Sequence, residues 1–149
     1  MVFHLHFYSL PLNETRQLPA DSASVPAFIQ ASGKSLGTME FKAGEAILFL
    51  SAAEDLTGLE LMGLLESPIR ETEPSDDYPF GGMEAEEIRA VRAAIDAVLG
   101  QMDEETAGLA HMAEAHDLTP ERLLALLKVL HQIMGEGLEA GGEFVTLYS

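Results

Sequence analysis

Residues 119–148 decide the fold, and they read TPERLLALLKVLHQIMGEGLEAGGEFVTLY. The threonine-proline pair at 119–120 predicts a helix start, because a threonine hydroxyl can accept a hydrogen bond from a free amide and proline has its φ angle preset. Over residues 123–138 the apolar side chains confine the polar ones to one narrow strip. A helix with so narrow a polar strip must be covered on most of its circumference, so we expect it to organise the core.

Strands are predicted at both ends of the chain. The glycine pair at 141–142 predicts a left-handed end to the long helix, and residues 143–148 are rich in the β-branched and aromatic residues that strands favour. Residues 2–8 alternate, with Phe3, Leu5 and Phe7 on one face and polar residues on the other. This alternation predicts an N-terminal strand with one buried face.

Together these elements predict an α+β fold: a single compact domain over residues 1–149, with a small sheet that includes both terminal strands and is packed with four to five helices. Further helices are predicted at 24–33, 40–54, 84–99 and 103–115, and a turn at 34–37. The residues that we expect to be deeply buried are Phe3, Leu5, Phe7, Leu127, Leu130, Val145 and Leu147.

The longest segment without a regular pattern is 66–82, which is rich in proline, glycine and acidic residues. Long irregular segments carry binding residues more often than helices and strands do, although a solvated connector has the same composition. If the segment binds a partner, the residues that we expect to contact it are Glu71, Glu73, Asp76, Asp77 and Tyr78.

Charge is the extreme property of this sequence. Lys and Arg number 8 against 25 Asp and Glu, which gives a formal net charge of −17. Such a field repels phosphate backbones and anionic lipids, so we expect neither a nucleic-acid nor a membrane partner. It would attract a basic protein, although general acidity also serves solubility alone. With no cysteine, no signal-peptide pattern and no long apolar run, the sequence predicts a soluble, cytoplasmic protein without disulfides.

Histidines provide the few candidates for metal binding or catalysis. His4 and His6 share one face of the predicted strand, where two imidazoles could reach one ion, but no third ligand follows at a telling spacing. His111 and Glu114 are three residues apart, and such a pair needs a second one on a facing helix. His131 lies on the apolar arc of the long helix, which is more typical of a hydrogen-bonded histidine at the core boundary than of a base. We therefore expect no metal and no cofactor.

One segment resembles a known family. Phe41-Lys42-Ala43 followed by 46–50 (AILFL) is similar to a helix of the YfbM-like family of small uncharacterised bacterial proteins, and the order of the later elements fits as well. This chain departs from the family where Gly44 replaces its Trp, Leu48 its frequent His, and 51–53 (SAA) its Leu-Thr-Gly. The resemblance implies a single α+β domain and no particular activity; some members of the family look like immunity proteins that accompany toxins.

The sequence contains no nucleophile elbow, no zinc-protease helix, no phosphate loop and no dinucleotide fingerprint. We therefore expect a non-enzymatic acidic binding or regulatory protein, of an immunity-like kind, with a basic protein as partner. The alternative is an enzyme for a small molecule, with or without a metal, whose site gathers His4, His6 and carboxylates from elsewhere in the chain. A pocket with converging histidines would favour the enzyme, and a broad acidic surface would favour the binding protein.

Overall fold

The computed structural model describes residues 2–10, 24–61, 80–83, 85–101, 107–141 and 143–148. Within these ranges the strands are β1 (Val2–Leu10), β2 (Lys34–Lys42), β3 (Phe80–Met83) and β4 (Glu143–Tyr148). The helices are α1 (Val25–Ser32), α2 (Glu45–Thr57), α3 (Ala85–Gln101), α4 (Ala107–Ala115) and α5 (Pro120–Ala140). The predicted α+β fold with five helices is confirmed.

The four strands form one sheet in the order β2-β1-β4-β3, and all neighbours are antiparallel. The two terminal strands are direct neighbours, as predicted, with Phe7 opposite Thr146. Phe7 and Phe144 pack with their ring centroids 5.4 Å apart, which places both on the face that the helices cover. β2 is an edge strand, with β1 on one side only.

Helix α5 organises the core, as the sequence predicts. The side chain of Thr119 caps its first turn by accepting from the Arg122 amide at 3.2 Å, and Gly141 ends it with φ 78°. Its buried residues are Leu123, Leu124, Leu126, Leu127, Leu130, Ile133, Met134 and Gly137. Gly137 is necessary because a Cβ there would lie 2.7 Å from a ring carbon of Phe144. Because Gly137 has no Cβ, α5 can pack closely against β4.

Strand β2 corrects the sequence prediction, which had a turn at 34–37 and a helix from residue 40. The ladder between β1 and β2 contains an irregularity at Phe7/Tyr8, where Gly37 and Ser35 face successive residues of β1 and Leu36 is the extra residue. The buried residues Leu36, Met39 and Phe41 are therefore spaced by three and then two. This bulge hides the alternation of a strand, and the helix begins only after Gly44, at Glu45.

Two smaller corrections concern the sheet. Phe3 is half-buried rather than deeply buried, because it pairs with Phe41 at a corner of the sheet that β4 does not reach. The last residues of the segment predicted to be irregular, 66–82, belong to β3, and the rest of that segment lies outside the described residues. Leu5, Phe7, Leu127, Leu130 and Val145 are buried as predicted, and the side chain of Leu147 lies outside the described part.

Candidate functional site

A bidentate ion pair joins the start of α5 to the start of α2. Arg122 donates from Nε to Glu45 Oε2 at 3.1 Å and from Nη2 to Glu45 Oε1 at 2.8 Å. The Glu45 side chain is 10% exposed and the Arg122 side chain 38% exposed, so the pair lies at the boundary of the core. Arginine and carboxylate match in this two-point geometry better than any other pair of charged side chains.

The same pair closes part of the free edge of the sheet. Arg122 Nη2 also donates to the Glu40 carbonyl at 2.9 Å, and the Lys42 amide donates to Glu45 Oε1 at 3.1 Å. Alternate residues of a strand direct their backbone groups to the same side, and here that side faces away from β1. The guanidinium and the carboxylate therefore satisfy a carbonyl and an amide that a fifth strand would otherwise take, and they protect this end of β2 from pairing with another chain.

The electrostatics of the pair follow from its hydrogen bonds. The bond from Arg122 lowers the pKa of Glu45 below its ordinary value, and this effect outweighs partial burial, which acts in the opposite direction. The same bond raises the pKa of Arg122. Glu45 is thus held as a carboxylate and is not suited to donate or accept protons near neutral pH.

Beside the ion pair lies a pocket of about 400 Å³. The turn between β2 and α2 forms one wall, and the turn between α4 and α5 forms the other. Its lining residues are Lys42, Ala43, Glu45, Leu48, Asp117, Leu118, Thr119 and Arg122. The side chains of these residues include two cations, two carboxylates and two leucines, a mixture suited to binding a small polar molecule with an apolar part.

His4 and His6 do lie side by side, but on the face of β1 opposite Leu5 and Phe7 and outside the lining of the pocket. Their rings stack with centroids 5.9 Å apart. On the neighbouring strand, Glu40 Oε2 lies 3.6 Å from His4 Nε2, and Thr38 Oγ1 lies 3.0 Å from His6 Nδ1. Partial burial, and secondarily the nearby His4, lower the pKa of His6, so this imidazole favours its neutral form.

No group of three or more histidine and carboxylate side chains in the described ranges could hold a metal ion. His111 is exposed, and no second pair faces it within those ranges. His131 is half-buried between α3 and α5, at the core boundary as predicted. The predicted hydrogen bond is not present at Nε2, which lies 3.1 Å from Asp96 Oδ1 without the geometry of a hydrogen bond. The five residues predicted to bind a partner, Glu71, Glu73, Asp76, Asp77 and Tyr78, lie outside the described residues.

The described part of the surface carries a large excess of negative charge. Its exposed acidic residues are Glu40, Asp55, Glu60, Glu86, Glu87, Asp96, Glu114, Asp117, Glu121, Glu136 and Glu139. Its exposed basic residues are Lys34, Lys42, Arg89 and Lys128. The remaining two cations of the described ranges are half-buried: Arg122 pairs with Glu45, and Arg92 lies beside Gly135, with its Nε buried and without a hydrogen-bond partner.

No known family model, no curated protein and no solved structure matches this chain. The resemblance to the YfbM-like family stays a prediction. None of the helices in the described ranges is long and apolar enough to cross a membrane.

Sequence reasoning missed the pocket and the ion pair. No spacing rule connects positions that are 77 residues apart. One signal was present, because Arg122 lies in the first turn of α5, where the helix dipole disfavours a cation. A cation at that position indicates a carboxylate partner nearby, but the sequence does not say which of 25 acidic residues supplies it.

Proposed function

We propose that this protein is a non-enzymatic binding protein whose partner is a basic protein, and that it acts by occupying that partner, as regulatory and immunity-like proteins do. The observation that carries the proposal is the division of charge in the described ranges. Eleven exposed acidic side chains face solvent there against four exposed basic ones, and Arg122 is paired with Glu45 inside the fold. The outward field of the described part is therefore negative.

Such a surface favours encounter with a positively charged protein. Complementary fields raise association rates by orders of magnitude at low salt, and like-charged partners are repelled. The same field disfavours nucleic acid and anionic membranes as partners. The enzyme alternative receives less support: the pocket is lined by no histidine among the described residues, and His4 and His6 contribute to no ligand cluster there.

The experiment is affinity capture on the immobilised protein at about 0.05 M and about 0.5 M salt, with the captured proteins identified by mass spectrometry. We expect a basic protein that binds at low salt and is released at high salt, because screening shortens the range of the attraction. A captured protein that is acidic, or one whose binding is insensitive to salt, contradicts the proposal.

A variant with fewer exposed acidic side chains tests whether the captured protein binds through this negative charge. Glu136→Gln and Glu139→Gln together neutralise two exposed acids on α5, and Glu86→Gln with Glu87→Gln neutralise two on α3. We expect the fourfold variant to bind the captured partner more weakly and with less dependence on salt. Lys128→Gln is the matched control, since it changes an exposed charge of α5 in the opposite direction and should not weaken binding.

A further inference from the structure

The pocket beside the ion pair contains charged groups that have no partner in the protein. Arg122 uses Nε and Nη2 in its bonds to Glu45 and Glu40, and no described contact reaches its Nη1. The Lys42 ammonium helps to lower the pKa of Glu45 through its charge, but it forms no ion pair within 4.0 Å among the described residues. Two sets of cationic donors therefore remain available to one pocket.

Asp117 supplies the opposite charge. Its carboxylate is exposed and forms no ion pair with Lys42 or Arg122, although all three residues line the same pocket. The ion pairs of the described ranges are His4–Glu40, His116–Asp55, Arg122–Glu45 and His131–Asp96, and none of these four includes Lys42 or Asp117. Cations and a carboxylate that line one pocket without bonding to each other leave space between them for a ligand that carries both charges.

We propose that the pocket binds a free aliphatic amino acid. Its carboxylate accepts from Arg122 Nη1 and from the Lys42 ammonium, and its ammonium donates to Asp117. Leu48 and Leu118 offer apolar contact to its side chain. The start of α5, with the positive end of its dipole, favours the carboxylate on the same side of the pocket as Arg122.

The size of the pocket fits such a ligand. Its volume of about 400 Å³ lies near the lower end of the roughly 300–1,000 Å³ range of small-molecule sites. Glu45 does not compete for the ligand's ammonium, because Arg122 and the Lys42 amide already satisfy its oxygens. The four acidic residues varied in the capture experiment, at 86, 87, 136 and 139, do not line this pocket, so either proposal can fail without the other.

The test is titration calorimetry of the full chain with leucine, with isoamylamine, which lacks the carboxylate, and with 4-methylpentanoate, which lacks the amine. We expect leucine to bind with a Kd below about 1 mM, and each analogue to bind at least about tenfold more weakly because it loses a charge-assisted contact. Glycine should also bind more weakly, since it cannot contact Leu48 and Leu118.

Two variants locate the site. Lys42→Gln and Asp117→Asn should each weaken leucine binding by at least about tenfold; asparagine tolerates the φ of 58° at position 117. Lys34→Gln, at the other end of β2, and Glu114→Gln, on α4, change equally exposed charges outside the pocket and should leave binding unchanged. The proposal is overturned if leucine does not bind at millimolar concentration, if an analogue binds as well, or if neither pocket variant weakens binding.

Discussion

Arg122 and Glu45 are 77 residues apart in the sequence, yet they form a two-point ion pair with N–O distances of 2.8 and 3.1 Å. The pair connects three elements, because Glu45 begins α2, Arg122 lies in the first turn of α5, and both bond to the backbone of β2. It shapes one wall of the pocket and closes part of a sheet edge. A single change at either residue therefore affects both the fold and the pocket.

Glu45→Gln should lower the free energy of unfolding by about 2–3 kcal/mol. Removing one partner from a fully buried pair costs about 3–5 kcal/mol, and the value here is smaller because Arg122 is partly exposed. Urea denaturation followed by circular dichroism measures it. Glu139→Gln removes an exposed carboxylate near the other end of α5 and should have almost no effect. If Glu45→Gln and Glu139→Gln have the same free energy of unfolding, the ion pair of Glu45 and Arg122 contributes nothing to stability.

The contribution of Glu45 should depend on pH in a defined direction. Since the pKa of Glu45 is lower in the folded protein than its ordinary value of 4.5, the unfolded chain binds the proton more readily. The stabilisation is therefore complete above about pH 5 and is lost as the pH falls through the folded pKa. Wild type and Glu45→Gln should differ most near pH 7 and converge in acid. A difference that grows on acidification contradicts this assignment.

His6 should titrate below its ordinary pKa of 6.5, chiefly because the ring is partly buried and secondarily because a charge on His4 repels a charge on His6. Its neutral form is favoured in the folded protein, so it contributes stability above pH 6.5 that is lost as the pH falls through the folded pKa. An NMR titration of the imidazole protons measures this. In His4→Gln the pKa of His6 should rise part of the way toward 6.5. A pKa of His6 above 6.5 in the wild-type protein would contradict the partly buried environment of this ring.

Gly137→Ala should destabilise the protein by about 1–3 kcal/mol. The new methyl would lie 2.7 Å from the ring of Phe144, which is buried and cannot move aside, and this strain outweighs the roughly 1 kcal/mol that alanine gains in a helix. Gly100→Ala is the matched control on α3, because a Cβ there meets nothing within 4 Å. That variant should be as stable as wild type or up to about 1 kcal/mol more stable. Thermal melts of both variants decide between these expectations.

The sequence predicted those elements whose periodicity is undisturbed. Helix α5 has a capping threonine, a proline and a left-handed glycine in their expected places, and β1 alternates between buried and half-buried residues from Leu5 to Ser9. These are local signals, and short-range physics is sufficient to interpret them.

Strand β2 and the pocket were not predictable in the same way. The bulge at Leu36 removes the two-residue period that identifies a strand, so the sequence predicted a turn at 34–37 and a helix from residue 40 instead. The pocket needs β2 beside the start of α5, and only the tertiary fold brings Lys42 and Asp117 to it. Sequence reasoning identified the histidine pair instead, since its two members are close along the chain.

The proposed function depends most directly on the excess of exposed acidic over exposed basic side chains, and a thermal melt in a potassium chloride series at pH 7 tests this. Screening shortens the range of repulsion from about 30 Å at 0.01 M salt to about 8 Å at 0.15 M, and the compact state suffers more from repulsion than the unfolded chain. We predict that Tm rises by at least about 2 °C over that range, which corresponds to roughly 1 kcal/mol for a chain of this size. A Tm that stays constant or falls would contradict the account, because it would mean that the acidic residues are already paired.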